Sequence, residues 1–167
     1  MTFPSDLAAR AAGVRLFLSD VDGVWTDGRV TVNADGSESV AFHVHDGFGV
    51  HRLREAGVVV AVVSGRETPA VAHRCARLGI EEVHLGVRDK GAAAAELMAR
   101  HGVERDAVAA IGDDLLDLPL LEAAGLRIAP PQAVAEVRRS ADWVTRADAG
   151  FGAFREACEL LLAARGR

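Results

Sequence analysis

One stretch constrains this chain more than any other. The apolar run Leu16-Phe17-Leu18-Ser19 passes directly into Asp20-Val21-Asp22-Gly23, two carboxylates one residue apart followed by a glycine. Val14 to Ser19 has the length and content of a buried strand, and the two acids have the chemistry of a loop at its carboxyl end. In an open α/β sheet that is the edge where ligands bind. Carboxylates at i and i+2 in a tight turn repel each other unless a cation lies between them or one keeps its proton, and either remedy points to function. Asp and Gly are also common turn residues, so the stretch taken alone reads equally well as an acidic turn closing a strand.

Three further pieces shift that balance. Ser64-Gly65-Arg66 follows the run Val58 to Val63, Lys90 stands at the head of an alanine-rich segment, and Gly112-Asp113-Asp114 follows Val108 to Ile111. Of 19 basic residues Lys90 is the single lysine, and the others are arginine. A composition so biased toward arginine keeps a lysine where a compact ammonium, rather than a planar guanidinium, is required. Chance placement is the alternative.

A chain of 167 residues, 50% hydrophobic and 26% charged, is long enough for one well-buried domain and too short for two of ordinary size. The net charge of −5 leaves no electrostatic footprint for nucleic acid, which points to a small ligand. Cys75 and Cys158 lack metal-ligand spacing, and the expected compartment is the reducing cytosol. Met1 to Ala12 carries Asp6 and Arg10 without an apolar core, so it reads as a short lead-in rather than a signal peptide. No run approaches the length of a membrane span.

Beyond the acid loop, Arg29 to Val32 and Ser37 to Val44 flank Asn33-Ala34-Asp35-Gly36, which predicts a β-hairpin over about 29–44. A lone hairpin of this size is marginal in water, so another subunit or the acid loop is expected to cover its apolar face. Helices are expected over His45 to Ala56, Pro69 to Leu78, Lys90 to His101, Leu115 to Ala124, Gln132 to Ser140 and Phe154 to Ala164. Strands are expected over Val58 to Val63, Val83 to Leu85, Val108 to Ile111, Leu126 to Ala129 and Trp143 to Thr145. The alternation predicts an α/β fold, a doubly wound parallel sheet in one domain spanning 1–167. Right-handed crossovers would bring its strand ends to one rim.

The four pieces together resemble the haloacid dehalogenase-like phosphohydrolases. At one rim, Asp20 is then expected as a nucleophile forming an aspartyl-phosphate, and Asp22 as the group that protonates the leaving oxygen and later deprotonates water. Mg2+ would be held by Asp20, the backbone carbonyl of Asp22 and Asp113. Ser64 and the Gly65 N–H would hold phosphoryl oxygens while Lys90 offsets their charge. Asp114 is expected to orient Asp113 or a water, and Asp117 to do the same or to cap the following helix.

Within that superfamily the chain is similar to the 3-deoxy-D-manno-octulosonate 8-phosphate phosphatases over nearly its whole length. The matching positions run from Asp20-Val-Asp22-Gly23-Val24 and Thr26-Asp27-Gly28 through Phe42-x-x-x-Asp46-Gly47-x-Gly49 and Ser64-Gly65-Arg66. They continue with Arg74, Leu78-Gly79-Ile80, Lys90, Gly112-Asp113-Asp114 and Gly150-x-Gly152-Ala153-x-Arg155-Glu156. The resemblance implies a small-capped, Mg2+-dependent homotetramer, the β-hairpin standing in place of a large cap, in which hairpins build a shared barrel and neighbouring subunits complete each active site. It places substrate contacts on the segment holding His43, His45, Asp46 and Gly47, and on His51, Arg66, Arg74 and Lys90. Arg66 favours the octulosonate, because relatives acting on nine-carbon keto-sugar acids tend to carry glutamate there. His45 and His51 stand where arginine is expected, and a histidine bonds a carboxylate as a cation only when protonated. Ordinary polar roles for His43, His45 and His51 stay open. So do three other functions: a phosphatase of different sugar specificity, a silent interaction domain of the kind appended to cytidylyltransferases, and a phosphotransferase or mutase, which would usually need a larger cap.

Overall fold

A computed structural model describes residues 4–166. Six strands form one parallel sheet: β1 (Leu16–Ser19), β4 (Val59–Val63), β5 (Glu82–His84), β6 (Val108–Ile111), β7 (Leu126–Ala129) and β8 (Trp143–Val144). Their order across the sheet is β5-β4-β1-β6-β7-β8. From β1 the chain winds outward to one side through β4 and β5, then returns to fill the other side through β6, β7 and β8. The carboxyl end of β1 is therefore the switch point of the winding, flanked by the ends of β4 and β6, and a crevice opens there.

The central strands are buried on both faces, which is why they read as unbroken apolar runs. Phe17, Val60, Val62, Ala109 and Ile111 face one core, which is completed by α1 (Ser5–Ala12), α2 (Val44–Glu55), α3 (Pro69–Leu78) and α7 (Ala153–Ala163). Leu16, Leu18, Ala61, Val63, Val108 and Ala110 face the other, under α4 (Lys90–His101), α5 (Leu118–Glu122) and α6 (Ala135–Ser140). The period-2 alternation thus divides each strand between two helical layers. No helix among the described residues is long and apolar enough to cross a membrane.

Local signals set several boundaries. Thr68 Oγ1 accepts the Val71 N–H and Pro69 occupies the first turn of α3, while Gly79 ends it at φ 66°. Asp89 caps α4 by accepting the Ala92 N–H, and Gly102 at φ 57° closes it. Both helices match the spans expected from sequence because capping depends only on neighbours within a turn.

Three expectations change. The lead-in is a helix from Ser5, which buries Leu7 and Ala11; Met1 to Phe3, the start of that expected lead-in, lie outside the described residues. The segment after β6 is a 3₁₀ turn (Leu115–Asp117) continuing into the short α5, because Asp114 and Asp117 cap one another before the helix proper starts with Pro119 in its first turn. The expected hairpin pairs only over β2 (Thr31–Val32) and β3 (Glu38–Ser39), and the helix after it starts at Val44. Val32 on this hairpin is 68% exposed and Val30 37%, so the described residues leave the tip of its apolar face open, while Phe42 at its end packs against the core.

Candidate active site

The crevice at the switch point is lined by Asp20, Asp22, Gly28, Ser64, Gly65, Arg66, Lys90, Asp113, Asp114, Leu116 and Asp117, around a volume of about 340 Å³. Strand register explains the convergence. Ser19 lies level with Val62 on one neighbour and Ile111 on the other, so Asp20, Ser64 and Asp113 all emerge within two residues of the same edge. The loop holding Asp20 is built by its own polar groups. The Val21 carbonyl accepts the Val24, Trp25 and Thr26 N–H groups, and Thr26 Oγ1 accepts those of Gly23 and Gly28. Below it the Trp25 indole donates to Ser19 Oγ at 2.7 Å, and the Ser19 hydroxyl donates to the Asp20 carbonyl at 2.6 Å.

Lys90 is the charged centre of the site. Its ammonium lies 2.7 Å from Asp20 Oδ1 and 2.5 Å from Asp117 Oδ1, and only 5% of the residue is exposed. Burial opposes the charge, yet Asp20 and Asp117 together raise its pKa. Desolvation and the nearby Asp117 push Asp20 up to about 7 against the pull of Lys90. Burial and the charges of Asp20, Asp117 and Asp114 push Asp113 up to about 8. Five carboxylates thus line the crevice against two cations, Lys90 and Arg66.

That excess of negative charge fits a bound hard cation. Carboxylate oxygens of Asp20, Asp113 and Asp117 lie within 4.8 Å of one another. The three are not equivalent, however, because Asp117 Oδ1 is taken by Lys90 and its Oδ2 by the N–H groups of Asp113 and Asp114 at 2.9 and 3.1 Å. Among the described residues no donor bonds the Asp113 carboxylate. Gly23, at φ 80°, leaves room for it: a Cβ there would lie 2.1 Å from Asp113 Oδ2. Asp20 and Asp113 are therefore the side chains free to hold an ion, and oxygen donors alone suit Mg2+.

Asp117 is the functional residue that sequence reasoning placed least well. It was expected either to assist Asp113 or to cap a helix; it does cap, and it is also the second partner of Lys90, buried to 1% exposure. Its position four residues after Asp113 was the available signal. Asp114 accepts the Leu115 N–H and so serves as a cap at the crevice rim. Ser64 Oγ accepts the Arg66 N–H at 3.2 Å, which leaves its hydroxyl hydrogen for a ligand. Asp22 Oδ1 accepts Arg66 Nη1 at 3.0 Å.

His43, His45, Asp46, Gly47, His51 and Arg74 do not line this crevice. They gather around the start of α2 instead. Asp46 accepts the Arg155 N–H at 2.8 Å, and burial pushes its carboxyl up to about 6 against the pull of that bond and of the neighbouring His43, Arg74 and His45. Gly47 lets Arg74 approach, since a Cβ there would meet its guanidinium at 2.6 Å, and Gly49 likewise admits Cys158 of α7. The His43 and His45 rings meet edge-on at 4.7 Å, Arg74 lies over Phe42, and His51 reaches Glu55 at 3.2 Å. His43 Nδ1, Asp46 Oδ2 and Arg74 Nε are buried without a hydrogen-bond partner among the described residues.

Comparison with known proteins agrees with this geometry. Residues 80–153 match the model of a haloacid dehalogenase-like hydrolase family. The 3-deoxy-D-manno-octulosonate 8-phosphate phosphatase of Escherichia coli strain K12 is 39% identical over 163 residues, covering 98% of this chain and 87% of the relative. The corresponding phosphatase of Moraxella catarrhalis, solved with a magnesium ion, a phosphate ion and a KDO molecule, superposes with a TM-score of 0.95 at 36% identity, over 98% of this chain and 94% of that one. The cobalt-bound Haemophilus influenzae enzyme superposes with a TM-score of 0.90 at 39% identity, over 94% and 92%. With these acids at the switch point of this sheet, the chain belongs to the 3-deoxy-D-manno-octulosonate 8-phosphate phosphatase family of haloacid dehalogenase-like hydrolases.

Proposed function

We propose that this chain is a Mg2+-dependent phosphomonoester hydrolase that releases phosphate from 3-deoxy-D-manno-octulosonate 8-phosphate through an aspartyl-phosphate. The observation that carries the reading is Lys90, buried between Asp20 and Asp117 beside an Asp113 carboxylate that no donor among the described residues satisfies. Such a cluster of buried acids is costly without a cation to balance it, and the cation in turn admits a phosphate. Known members of the family carry the same activity in their names, and one neighbour was solved with magnesium, phosphate and the sugar acid itself.

Each residue has a role suited to its place. Asp20 attacks phosphorus, and Lys90 holds its carboxylate in register while offsetting the charge of the incoming phosphoryl group. Asp22 gives a proton to the leaving alkoxide and later takes one from the attacking water. The Ser64 hydroxyl and the Gly65 N–H hold phosphoryl oxygens. Mg2+, held by Asp20, the Asp22 carbonyl and Asp113, supplies Lewis-acid charge that lets a dianion approach the carboxylates. Asp117 fixes Lys90 from behind and the Asp113 backbone from the side.

The sugar acid is recognised by groups on two surfaces. Arg66 lines the crevice, whereas His43, His45, Asp46, Gly47, His51 and Arg74 sit apart from it, so the reading has them supplied by a neighbouring copy in a homotetramer. The uncovered hairpin valines and the unpartnered polar atoms of His43, Asp46 and Arg74 support that assembly. A small hairpin in place of a large cap favours hydrolysis over transfer, and a complete acid and lysine set argues against a silent interaction domain. Cys75 and Cys158, both free and buried, suit a reducing cytoplasm.

Phosphate release from the octulosonate phosphate, compared with simple hexose phosphates in Mg2+ and again in EDTA, tests the reading. Metal-dependent preference for the sugar acid is expected, and equal rates on all esters would leave only a general phosphatase. Light scattering tests the assembly, where a monomer at micromolar concentration would refute the tetramer.

A further inference from the structure

We infer that Glu38, on the hairpin, is a positioning residue for Asp22 that acts through Arg66; the inference rests on the phosphatase reading above. Arg66 is stretched between two carboxylates from different elements: Nη1 lies 3.0 Å from Asp22 Oδ1 and Nη2 lies 2.5 Å from Oε2 of Glu38 in β3. Its backbone is fixed at both ends, the N–H donating to Ser64 Oγ and the carbonyl accepting the Gly86 N–H. The three side chains are partly exposed, at 34% for Arg66, 20% for Asp22 and 43% for Glu38, so the arrangement forms the lip of the crevice rather than its floor.

The geometry of guanidinium gives Glu38 its function. An arginine facing a single carboxylate closes onto it with two parallel bonds. Here Glu38 takes one arm, so Asp22 is held by one oxygen and its Oδ2 remains free. In the first chemical step the bond from phosphorus to the leaving oxygen breaks as the Asp20 oxygen bonds phosphorus, and the Asp22 proton passes to the departing alkoxide. Removing Glu38 frees the second arm to close on Asp22, which commits both carboxylate oxygens and turns the donor from the leaving group. An aryl leaving group departs without that proton. The defect must therefore depend on the leaving group, which general loss of folding does not.

The test compares kcat for the octulosonate phosphate and for p-nitrophenyl phosphate, both with Mg2+. Glu38→Ala should lower the ratio of the two rates about tenfold, a part of the roughly 10²–10⁴ that a placed proton donor contributes. Glu38→Gln, which keeps the volume and loses the charge, should move the ratio in the same direction. In an Arg66→Ala background Glu38→Ala should leave the ratio unchanged, because the arm that captures Asp22 is gone. An unmoved ratio in Glu38→Ala, or an equal change in the Arg66→Ala background, would overturn the inference while the active wild type left the phosphatase reading intact. A wild-type chain inactive on both esters would overturn the reading and the inference together.

Discussion

Replacing Lys90 by methionine keeps the length of the side chain and removes the cation that two carboxylates share. Lys90 touches Asp20 at 2.7 Å and Asp117 at 2.5 Å in a site where all three are almost wholly buried. Removing one member of a buried ion pair costs about 3–5 kcal/mol when the remaining charge cannot neutralise. For a chain of this size, about 2–4 °C of Tm per kcal/mol makes that a fall of roughly 6–20 °C. The pH dependence follows from the acids left behind. Burial and mutual repulsion already raise Asp20 to about 7 and Asp113 to about 8. An acid with a raised pKa folds best when protonated, and its stabilising contribution is lost as pH rises through the folded value. At pH 5.5 these carboxylates take up protons and the missing ammonium matters little; at pH 8.5 they are ionised and need it. Thermal melting of wild type and Lys90→Met at both values, without metal, should show the larger loss at pH 8.5. Added Mg2+ should then raise the Tm of the variant more than that of the wild type, by mass action on a more negative site. Equal losses at both pH values would refute the account, since they would mean that Lys90 contributes packing rather than charge.

Four other variants probe separate features. Asp20→Asn should abolish turnover yet melt at or above the wild-type temperature at pH 8, because the amide removes a nucleophile and a buried repulsive charge at nearly constant volume; retained phosphate release would sink the mechanism. Lys90→Arg should lose most activity although the charge is kept, since the wider guanidinium does not fit between Asp20 and Asp117 and overpacking costs about 1–3 kcal/mol; near-wild-type rates would show that the single lysine is coincidence. His45→Arg with His51→Arg should lower KM for the sugar-acid phosphate at pH 8 by up to about tenfold while leaving KM for a phosphate ester without a carboxylate unchanged, one charge-assisted bond contributing roughly 1.5 kcal/mol; no change would make both histidines bystanders. Far from the site, burial disfavours ionised Asp142, but bonds from Arg127 and Arg10 hold its carboxyl well below the usual range. A depressed acid contributes stability that is present above about pH 4 and lost as pH falls through the folded value, so Asp142→Asn should cost about 1–2 kcal/mol at pH 7, solvent screening included, and progressively less in acid. Equal melting of the two proteins at pH 7 would refute that ion-pair contribution.

What the sequence determined by itself was whatever depends on near neighbours. The apolar run into Asp20 and Asp22 marks a strand end because burial on both faces and solvent at the tip are written in consecutive residues. Thr68 with Pro69 and Gly79, and Asp89 with Gly102, set α3 and α4 because caps act within one turn. The two cores are implicit in the alternation of Leu16, Phe17 and Leu18. Tertiary structure decided the rest. Lys90 and Asp20 are 70 residues apart and meet only because α4, which Lys90 opens after β5, packs back against β1 and α5. Asp117 became a partner of that lysine, and Glu38 of Arg66, through contacts that no local spacing encodes. The hairpin shrank to two residues per strand because a short ribbon has no sheet to extend its pairing. The lead-in became a helix because Leu7 and Ala11 find an apolar layer under α7 that only the folded chain provides. Propensity and capping act over a turn or two, whereas the chemistry of this site needs charges carried together from three strands, and that meeting is a property of the sheet.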